Sequence, residues 1–318
     1  MKFSIPWFPK KQRRSGRIGL AVGPDGLAIA HLDQAGKLSY CQFHPQPGDV
    51  SHLLENLCNE HGWRGLACSV VLHPVYYQLL LAEKPSVQSE EMSSAVRWLV
   101  KDLLGYPLEE AAIEHFALPD DAYRGRQKML YAAALRKKTL QDLVEPAQSC
   151  GLKVDCVEIA ELALHHLVSR LPEPSGAVAL IQLYEGEGFI NLVENGSIYL
   201  CRRLDLGLEK FHAVPDNIPF FEALLLEIQR SLDYYESQLG KGIVTTLYYS
   251  PGLAELEPLG QFLSNQLGLN VAPLDIQSFN STKNENISID DVQVQNCASA
   301  IGAALGPLQV AEVSRAAS

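Results

Sequence analysis

Two segments of this 318-residue chain set glycines beside carboxylates in short turns. That combination can bring backbone amides close to a phosphate, or hold a metal ion. The first runs Arg17-Ile-Gly-Leu-Ala-Val-Gly-Pro-Asp-Gly-Leu-Ala-Ile-Ala-His-Leu32, the second Gly176-Ala-Val-Ala-Leu-Ile-Gln-Leu-Tyr-Glu-Gly-Glu-Gly-Phe-Ile-Asn-Leu-Val193. Each reads as an apolar strand, a glycine-containing turn and a second apolar strand, the pattern of a β-hairpin. Gly19, Gly23, Gly186 and Gly188 are the glycines of these segments that could approach a phosphate, and Asp25, Glu185 and Glu187 are the turn acids. Tight turns need glycine for their own geometry, and turn acids are usually solvated. Structural and ligand-binding readings therefore both stand at these positions. A third segment, Val244-Thr-Thr-Leu-Tyr-Tyr-Ser-Pro-Gly-Leu-Ala254, runs from an apolar strand into a turn around Gly252.

Other reactive side chains are less organised. His165 and His166 fall on an expected helix, with no carboxylate or thiol at metal-ligand spacing, and read as structural. Glu109 and Glu110 follow Tyr106-Pro107 and read as a solvated turn rather than a catalytic pair. The seven cysteines, at 41, 58, 68, 150, 156, 201 and 297, form no C-x-x-C pair and read as reduced thiols that pack as small apolar groups. No G-x-S-x-G, H-E-x-x-H, Walker loop or G-x-G-x-x-G before a helix is present. The expectation is no catalytic set and no metal centre.

The net charge of −11 argues against a general nucleic-acid binder, which needs clustered Lys and Arg. The charge is uneven: residues 1–17 carry Lys2, Lys10, Lys11, Arg13, Arg14 and Arg17 without an acid, interleaved with Phe3, Ile5, Trp7 and Phe8. Such a basic-aromatic tail suits either a solvated leader or contact with an anionic membrane surface. No apolar run reaches the ~18 residues of a transmembrane helix, and the start of the chain lacks the apolar stretch of a signal peptide. A cytoplasmic protein, peripheral to the inner membrane, is the expectation.

Strands are expected at 18–22, 26–33 and 37–43, a helix at 50–61 and a buried strand at 68–72. After a strand at 77–82, Ser89-Glu-Glu-Met opens a helix that reaches Leu104 and stops at Gly105-Tyr-Pro. Strands at 112–118 and 128–135, with a turn at 120–125, and a helix at 138–149 complete a small α+β module, followed by a strand at 154–159 and a helix at 160–169. Leu171-Pro-Glu-Pro-Ser-Gly176 is the clearest boundary. The second half then repeats the first: a meander at 177–184, 188–194 and 197–205, a long helix at 216–239, a strand at 244–249, a helix at 258–266 and a strand at 271–274. A polar loop at 277–289 precedes a small-residue helix at 296–305. The expected division is a tail at 1–16, a first domain at 17–76 and 151–171, an inserted subdomain at 77–150, a second domain at 176–305 and a flexible tail at 306–318.

This duplicated βββαβα unit, with two hairpins and a strand–turn–helix, resembles the ribonuclease-H-like, two-domain α/β fold of actin, Hsp70 and the sugar kinases. Within that group the chain resembles the PilM family of type IV pilus assembly, and its MshI branch of mannose-sensitive haemagglutinin (MSHA) pili. The residues that carry the resemblance are the basic leader before Ile18-Gly-Leu-Ala-Val-Gly23, Glu90-Glu-Met, Leu104-Gly-Tyr-Pro-Leu-Glu-Glu110 and Gly151-Leu-Lys-Val-Asp-Cys-Val-Glu158. Further along are Glu227-Ile-Gln-Arg-Ser-Leu-Asp-Tyr-Tyr-Glu236, Leu267-Gly-Leu-Asn-Val271 and Ala298-Ser-Ala-Ile-Gly-Ala-Ala-Leu305.

The resemblance implies a cytoplasmic scaffold at the inner membrane. Its partner would be the N-terminal peptide of a PilN-like membrane protein, with the pilus motor ATPase as a further contact. It also implies a nucleotide cleft in which hairpins wrap the phosphates and an Asp ends the first strand. Here Ala21 and Gln182 hold the corresponding places, Tyr184 stands where glycine is wanted, and Pro251 removes an amide donor. A pseudo-ATPase is expected, with no catalytic residue and with Gly19, Gly23, Gly186, Gly188 and Gly252 as a remnant nucleotide cleft. ATP with Mg²⁺ remains an open alternative through the displaced acids, as does a GspL-like scaffold of type II secretion.

Overall fold

The computed structural model describes residues 16–45, 48–124, 128–171, 176–276 and 295–306. The expected tails (apart from Gly16 and Gly306) and the polar loop at 277–289 lie outside them. In chain order the first half comprises β1 (Gly16–Val22), β2 (Gly26–Asp33), β3 (Leu38–Pro45), α1 (Val50–His61), β4 (Ala67–Leu72), β5 (Gln78–Glu83), α2 (Ser89–Val100), β6 (Ala111–Ala117), β7 (Met129–Arg136), α3 (Lys137–Ser149), β8 (Lys153–Ile159) and α4 (Ala160–Val168). The second half comprises β9 (Ala177–Leu183), β10 (Gly188–Glu194), β11 (Ser197–Leu204), α5 (Leu208–His212), α6 (Ile218–Ser237), β12 (Val244–Ser250), α7 (Glu257–Leu267), β13 (Asn270–Pro273) and α8 (Ala298–Leu305).

The repeat expected from the sequence is explicit in the sheets. The first has the order β3-β2-β1-β4-β8 and the second β11-β10-β9-β12-β13. In both, an antiparallel meander is extended by two parallel strands. The central strands β2, β9 and β10 are apolar and buried along nearly their whole length, as sheets covered on both faces require. On the outer face of the first sheet, α1 buries Leu54, Leu57 and Cys58; the Asp49 side chain caps its first turn and Gly62 ends it in the left-handed conformation. On the second sheet, α6 and α7 close the outer core through Leu224, Ile228, Leu259 and Leu263.

Between the two sheets lie α4 and α8, and each packs beyond its own half. Helix α4 follows the first sheet in sequence yet shares a core with Val178, Leu180 and Phe189 of the second. Helix α8 follows the second sheet and lies against β1, β2 and β4 of the first. Two glycines permit this. A Cβ on Gly302 would stand 2.0 Å from the carbonyl oxygen of Ala163, and one on Gly19 would stand 1.8 Å from that of Ala300. Arg170 then donates to the carbonyl of Leu305 at 3.1 Å, satisfying the end of α8.

The third sheet, β5-β7-β6, forms the inserted module. Helix α2 covers one face through Met92, Val96 and Val100 on Leu130 and Ala132. The opposite face places Leu79, Phe116 and Tyr131 in the core of the second half. Polar contacts follow the same line: Tyr131 Oη donates to the Cys201 carbonyl at 2.9 Å, and the Tyr123 and Tyr234 hydroxyls meet at 2.9 Å. The module therefore bridges the two halves.

Several local expectations shift. The helix expected to reach Leu104 ends at Val100 and tightens into a 3-10 turn, Lys101–Leu103, because the chain must turn ahead of Gly105-Tyr-Pro. Helix α3, expected within the inserted module, puts Val144 and Ala147 into the core with Leu54 and Trp63, because its apolar positions face α1. The helix expected at 216–239 spans Ile218–Ser237 and is preceded by the separate short α5.

Gly302→Val is expected to lower the free energy of unfolding by about 3 kcal/mol or more, since the nearest atoms are backbone and cannot move aside. Gly48→Ala, with nothing near its Cβ position, should change it by less than about 0.5 kcal/mol. Urea denaturation midpoints distinguish the two.

Candidate functional site

The two hairpins meet above the helices that separate the sheets. In the first, the Gly23 amide donates to the Gly26 carbonyl at 3.0 Å; in the second, the Tyr184 amide donates to the Glu187 carbonyl at 2.8 Å. Their tips lie close together, the Glu185 backbone being near enough to the Asp25 carboxylate to favour its charged form. Burial still dominates at Asp25 and raises its pKa. The second tip is also tied from behind: the Leu208 and Glu209 amides, at the start of α5, donate to the Tyr184 and Glu185 carbonyls at 2.8 and 2.9 Å. Gly207 makes that approach possible, as its Cβ would stand 2.2 Å from the Glu185 oxygen.

Beneath the tips is a cavity of about 340 Å³, lined by residues from both halves, among them Ala21, Asp25, Phe43, His73, Gln182 and Tyr184. Its floor includes Val71, Ala298 and Ser299. Ala21, Gln182, Tyr184 and Pro251, the residues that the sequence reading placed at a cleft between the hairpins, all line it. Of the five glycines named from the sequence, one lies at it. Gly23 lines the cavity, whereas Gly19, Gly186, Gly188 and Gly252 do not. Gly19 serves the contact with α8, and Gly188 the hairpin itself, its Cβ position lying 2.6 Å from the Gln182 carbonyl oxygen. The Gly252 amide is taken by the Gln295 side chain at 2.9 Å.

His73 was not singled out in the sequence. Its signal was the His73-Pro74 step directly after the buried strand β4. Its Nδ1 accepts from the Val75 amide at 3.2 Å, which places the ring proton on Nε2. Nε2 is buried without a partner, as are Gln182 Oε1 and Ser250 Oγ. Burial, aided by the Arg203 guanidinium, pushes the His73 pKa down to about 4. The imidazole is therefore neutral at pH 7, and its 3.9 Å contact with Glu187 is not an ion pair at that pH. Glu187 is itself pushed up by burial, with Arg203 opposing at 3.6 Å.

Arg203 also crosses to the first half. It donates to the Pro74 and Tyr77 carbonyls at 2.5 and 2.9 Å, and lies over the Tyr77 ring. Behind it, the Tyr77 hydroxyl donates to the fully buried Glu161 carboxylate. Burial raises the pKa of both groups. This network joins the two halves beside the cavity, and neither Arg203 nor Glu161 was expected from sequence.

The remaining sequence candidates lie elsewhere. His165 contacts the Gly196 carbonyl at 3.0 Å, and His166 contacts the Glu158 carboxylate at 3.0 Å. Glu109 and Glu110 are exposed in a 3-10 turn, where Glu110 meets Arg136. All seven cysteines are free, although Cys58 and Cys150 come within 3.3 Å. Among the described residues, no group of three or more His, Cys, Asp or Glu could hold a metal ion. No described helix is long and apolar enough to cross a membrane.

The duplicated sheets, the central helices and the hairpin-covered cleft define an actin-like ATPase fold. Among solved structures the chain is similar to one described as "PilM-PilN type IV pilus biogenesis complex", with a TM-score of 0.74 and 19% identity over 92% of this chain and 98% of that one. It is also similar to a Bacteroides thetaiotaomicron protein of actin-like ATPase fold and unknown function, with a TM-score of 0.51 and 10% identity over 85% of this chain and 95% of that one. No protein-family model and no curated protein matches the chain in sequence.

The neutral His73 generates a prediction about acid stability. Its folded pKa of about 4 lies below the ordinary value of 6.5, so the unfolded chain takes up a proton that the folded chain refuses. Stability should fall as pH drops from about 6.5 toward 4. His73→Asn keeps a side-chain acceptor for Val75 and removes the titration. Its unfolding free energy, measured by urea denaturation from pH 7 to pH 4.5, should decline less steeply than that of the wild type.

Proposed function

We propose that this protein is a non-catalytic, actin-like scaffold of a type IV pilus assembly machine, of the PilM kind and nearest its MshI branch. It binds the cytoplasmic N-terminal peptide of a PilN-like inner-membrane protein. The observation that carries the proposal is likeness over almost the whole length of both chains to a PilM–PilN complex. The cleft supports the non-catalytic part. Gamma-phosphate chemistry needs an acid or metal poised at the cleft and positive charge around the phosphates. Ala21 carries no polar side chain, the Gln182 amide nitrogen is bonded to the Leu183 carbonyl at 3.0 Å, and Asp25 lies beside the Glu185 backbone of the opposite hairpin. None of the described cavity-lining residues is Lys or Arg.

Surfaces that suit an extended peptide lie away from the cleft. Strand β8 is an outer strand of the first sheet and β6 is an outer strand of the module, with α3 against both. Open strand edges accept peptides by backbone pairing, while side-chain contacts select the sequence. Val157 on β8 and Trp98, Leu99 and Leu103 on and after α2 are large apolar side chains left exposed. The basic-aromatic leader, outside the described residues, would add contact with the anionic inner face of the membrane, and the pilus motor ATPase is a further candidate partner.

Retention of the full chain by an immobilised peptide from the N-terminus of a PilN-like protein is the direct measurement. Binding should weaken by at least about tenfold in Val157→Asp, which puts a charge on the apolar edge; no retention of the wild type would remove the partner. Phosphate release from ATP with Mg²⁺ should stay at background, and turnover abolished by Asp25→Ala or Glu187→Ala would replace the scaffold with an ATPase.

A further inference from the structure

Two thiols far from the hairpin cleft lie together in the core of the first half. Cys58 is on α1, and Cys150 is the residue that ends α3; both are buried. The Cys58 thiol points at Cys150 Sγ across 3.3 Å. Cys150 Sγ also lies 3.1 Å from the Ala147 carbonyl. A disulfide bond is about 2.05 Å long, so a small approach of the two sulfurs converts this contact into a bond.

The two thiols are unequal. The Cys58 thiol that faces it holds the Cys150 pKa down to about 7, and the nearby Leu152 backbone and Arg64 guanidinium act in the same direction, against burial. The same contact pushes Cys58 up. Burial raises Cys68, Cys156 and Cys201 as well. A thiolate is the form that attacks an oxidant, so Cys150 reacts first and Cys58 is placed to resolve the product. The cover over Cys150 is thin. It stands at a helix end, between exposed Ser149 and half-buried Gly151, and a Cβ on Gly151 would stand 3.4 Å from Nη1 of the exposed Arg64 side chain. Helix ends open at lower cost than the packed core, which admits a molecule as small as hydrogen peroxide.

We propose that Cys58 and Cys150 form a peroxide-responsive disulfide site that clamps α3 to α1. The Cys150 thiolate attacks hydrogen peroxide, the O–O bond breaks, and Cys150 becomes a sulfenic acid as hydroxide leaves. Cys58 Sγ then attacks Cys150 Sγ. The S–S bond forms, the S–O bond breaks, and the oxygen leaves as water with the Cys58 proton. The two thiols together lose two electrons and two protons, and one peroxide becomes two waters. The bond joins residues 92 apart in sequence, with the inserted module between them. Closing a loop of that length restricts the unfolded chain, so the oxidised protein is the more stable form. Neither cysteine lines the cavity, and the site stands or falls independently of the peptide partner.

The test is peroxide treatment of the folded full chain, followed by blocking of free thiols and mass mapping of its peptides without reductant. Cys58 and Cys150 should be recovered as one cross-linked pair, two hydrogens lighter than the separate peptides, and dithiothreitol should release it. The thermal midpoint should rise by at least about 3 °C on oxidation and return on reduction. In Cys58→Ala, Cys150 should be carried on to the sulfinic acid with no rise in midpoint; in Cys150→Ala, Cys58 should stay a free thiol. If either variant fails to fold, the wild-type cross-link and the other variant still decide. Recovery of Cys58 and Cys150 as free thiols after treatment overturns the proposal. A cross-link at another pair in its place, such as Cys41 with its neighbour Cys297, also overturns it. A cross-linked wild type whose midpoint is unmoved overturns the clamp.

Discussion

The close crossing of α4 and α8 is the contact on which the rest of the molecule depends. Each helix belongs to one half in sequence and packs against the sheet of the other. The backbones approach so closely that a single Cβ at Gly302 would overlap the Ala163 carbonyl. Close-packed interiors leave little room for adjustment. The spacing between the two sheets, and hence the height of the cleft above the helices, is set by this contact and by the matching approach of α8 to Gly19.

That spacing brings the hairpin tips together. With the sheets held at this distance, Asp25 reaches the Glu185 backbone, and the β9–β10 tip is braced from behind by the start of α5. Arg203 and the inserted module add ties across the two halves, through the carbonyls at Pro74 and Tyr77 and through the tyrosines at 123, 131 and 234. The outcome is a cavity lined by residues of both halves, with β8 and β6 as outer strands of their sheets.

Much of the fold was legible in the sequence, because its signals are local. Alternating apolar residues, the turns at Gly23–Gly26 and at 184–187, and the recurrence of one strand–helix pattern in both halves depend on neighbours a few positions apart. The boundaries that shifted did so where a distant contact decides. Helix α3 joins α1 because Val144 and Ala147 find Leu54 and Trp63 there, and no signal within residues 137–149 names that partner. The absence of an acid at Ala21 and Gln182 was equally legible, since it is a matter of residue type.

The chain order by itself determined the duplicated architecture, the inserted module and the residue types, Ala21 and Gln182, near the ends of β1 and β9. Only the tertiary structure decided what each glycine is for, since a glycine in a turn and a glycine under a crossing helix look alike in sequence. It also decided that His73 is neutral and faces a cavity, because burial and the Arg203 charge come from segments far along the chain. Periodicity and composition report what a residue prefers. Proximity across the two sheets is a three-dimensional quantity, and it alone brings Gln182 of one half and His73 of the other to the lining of one cavity.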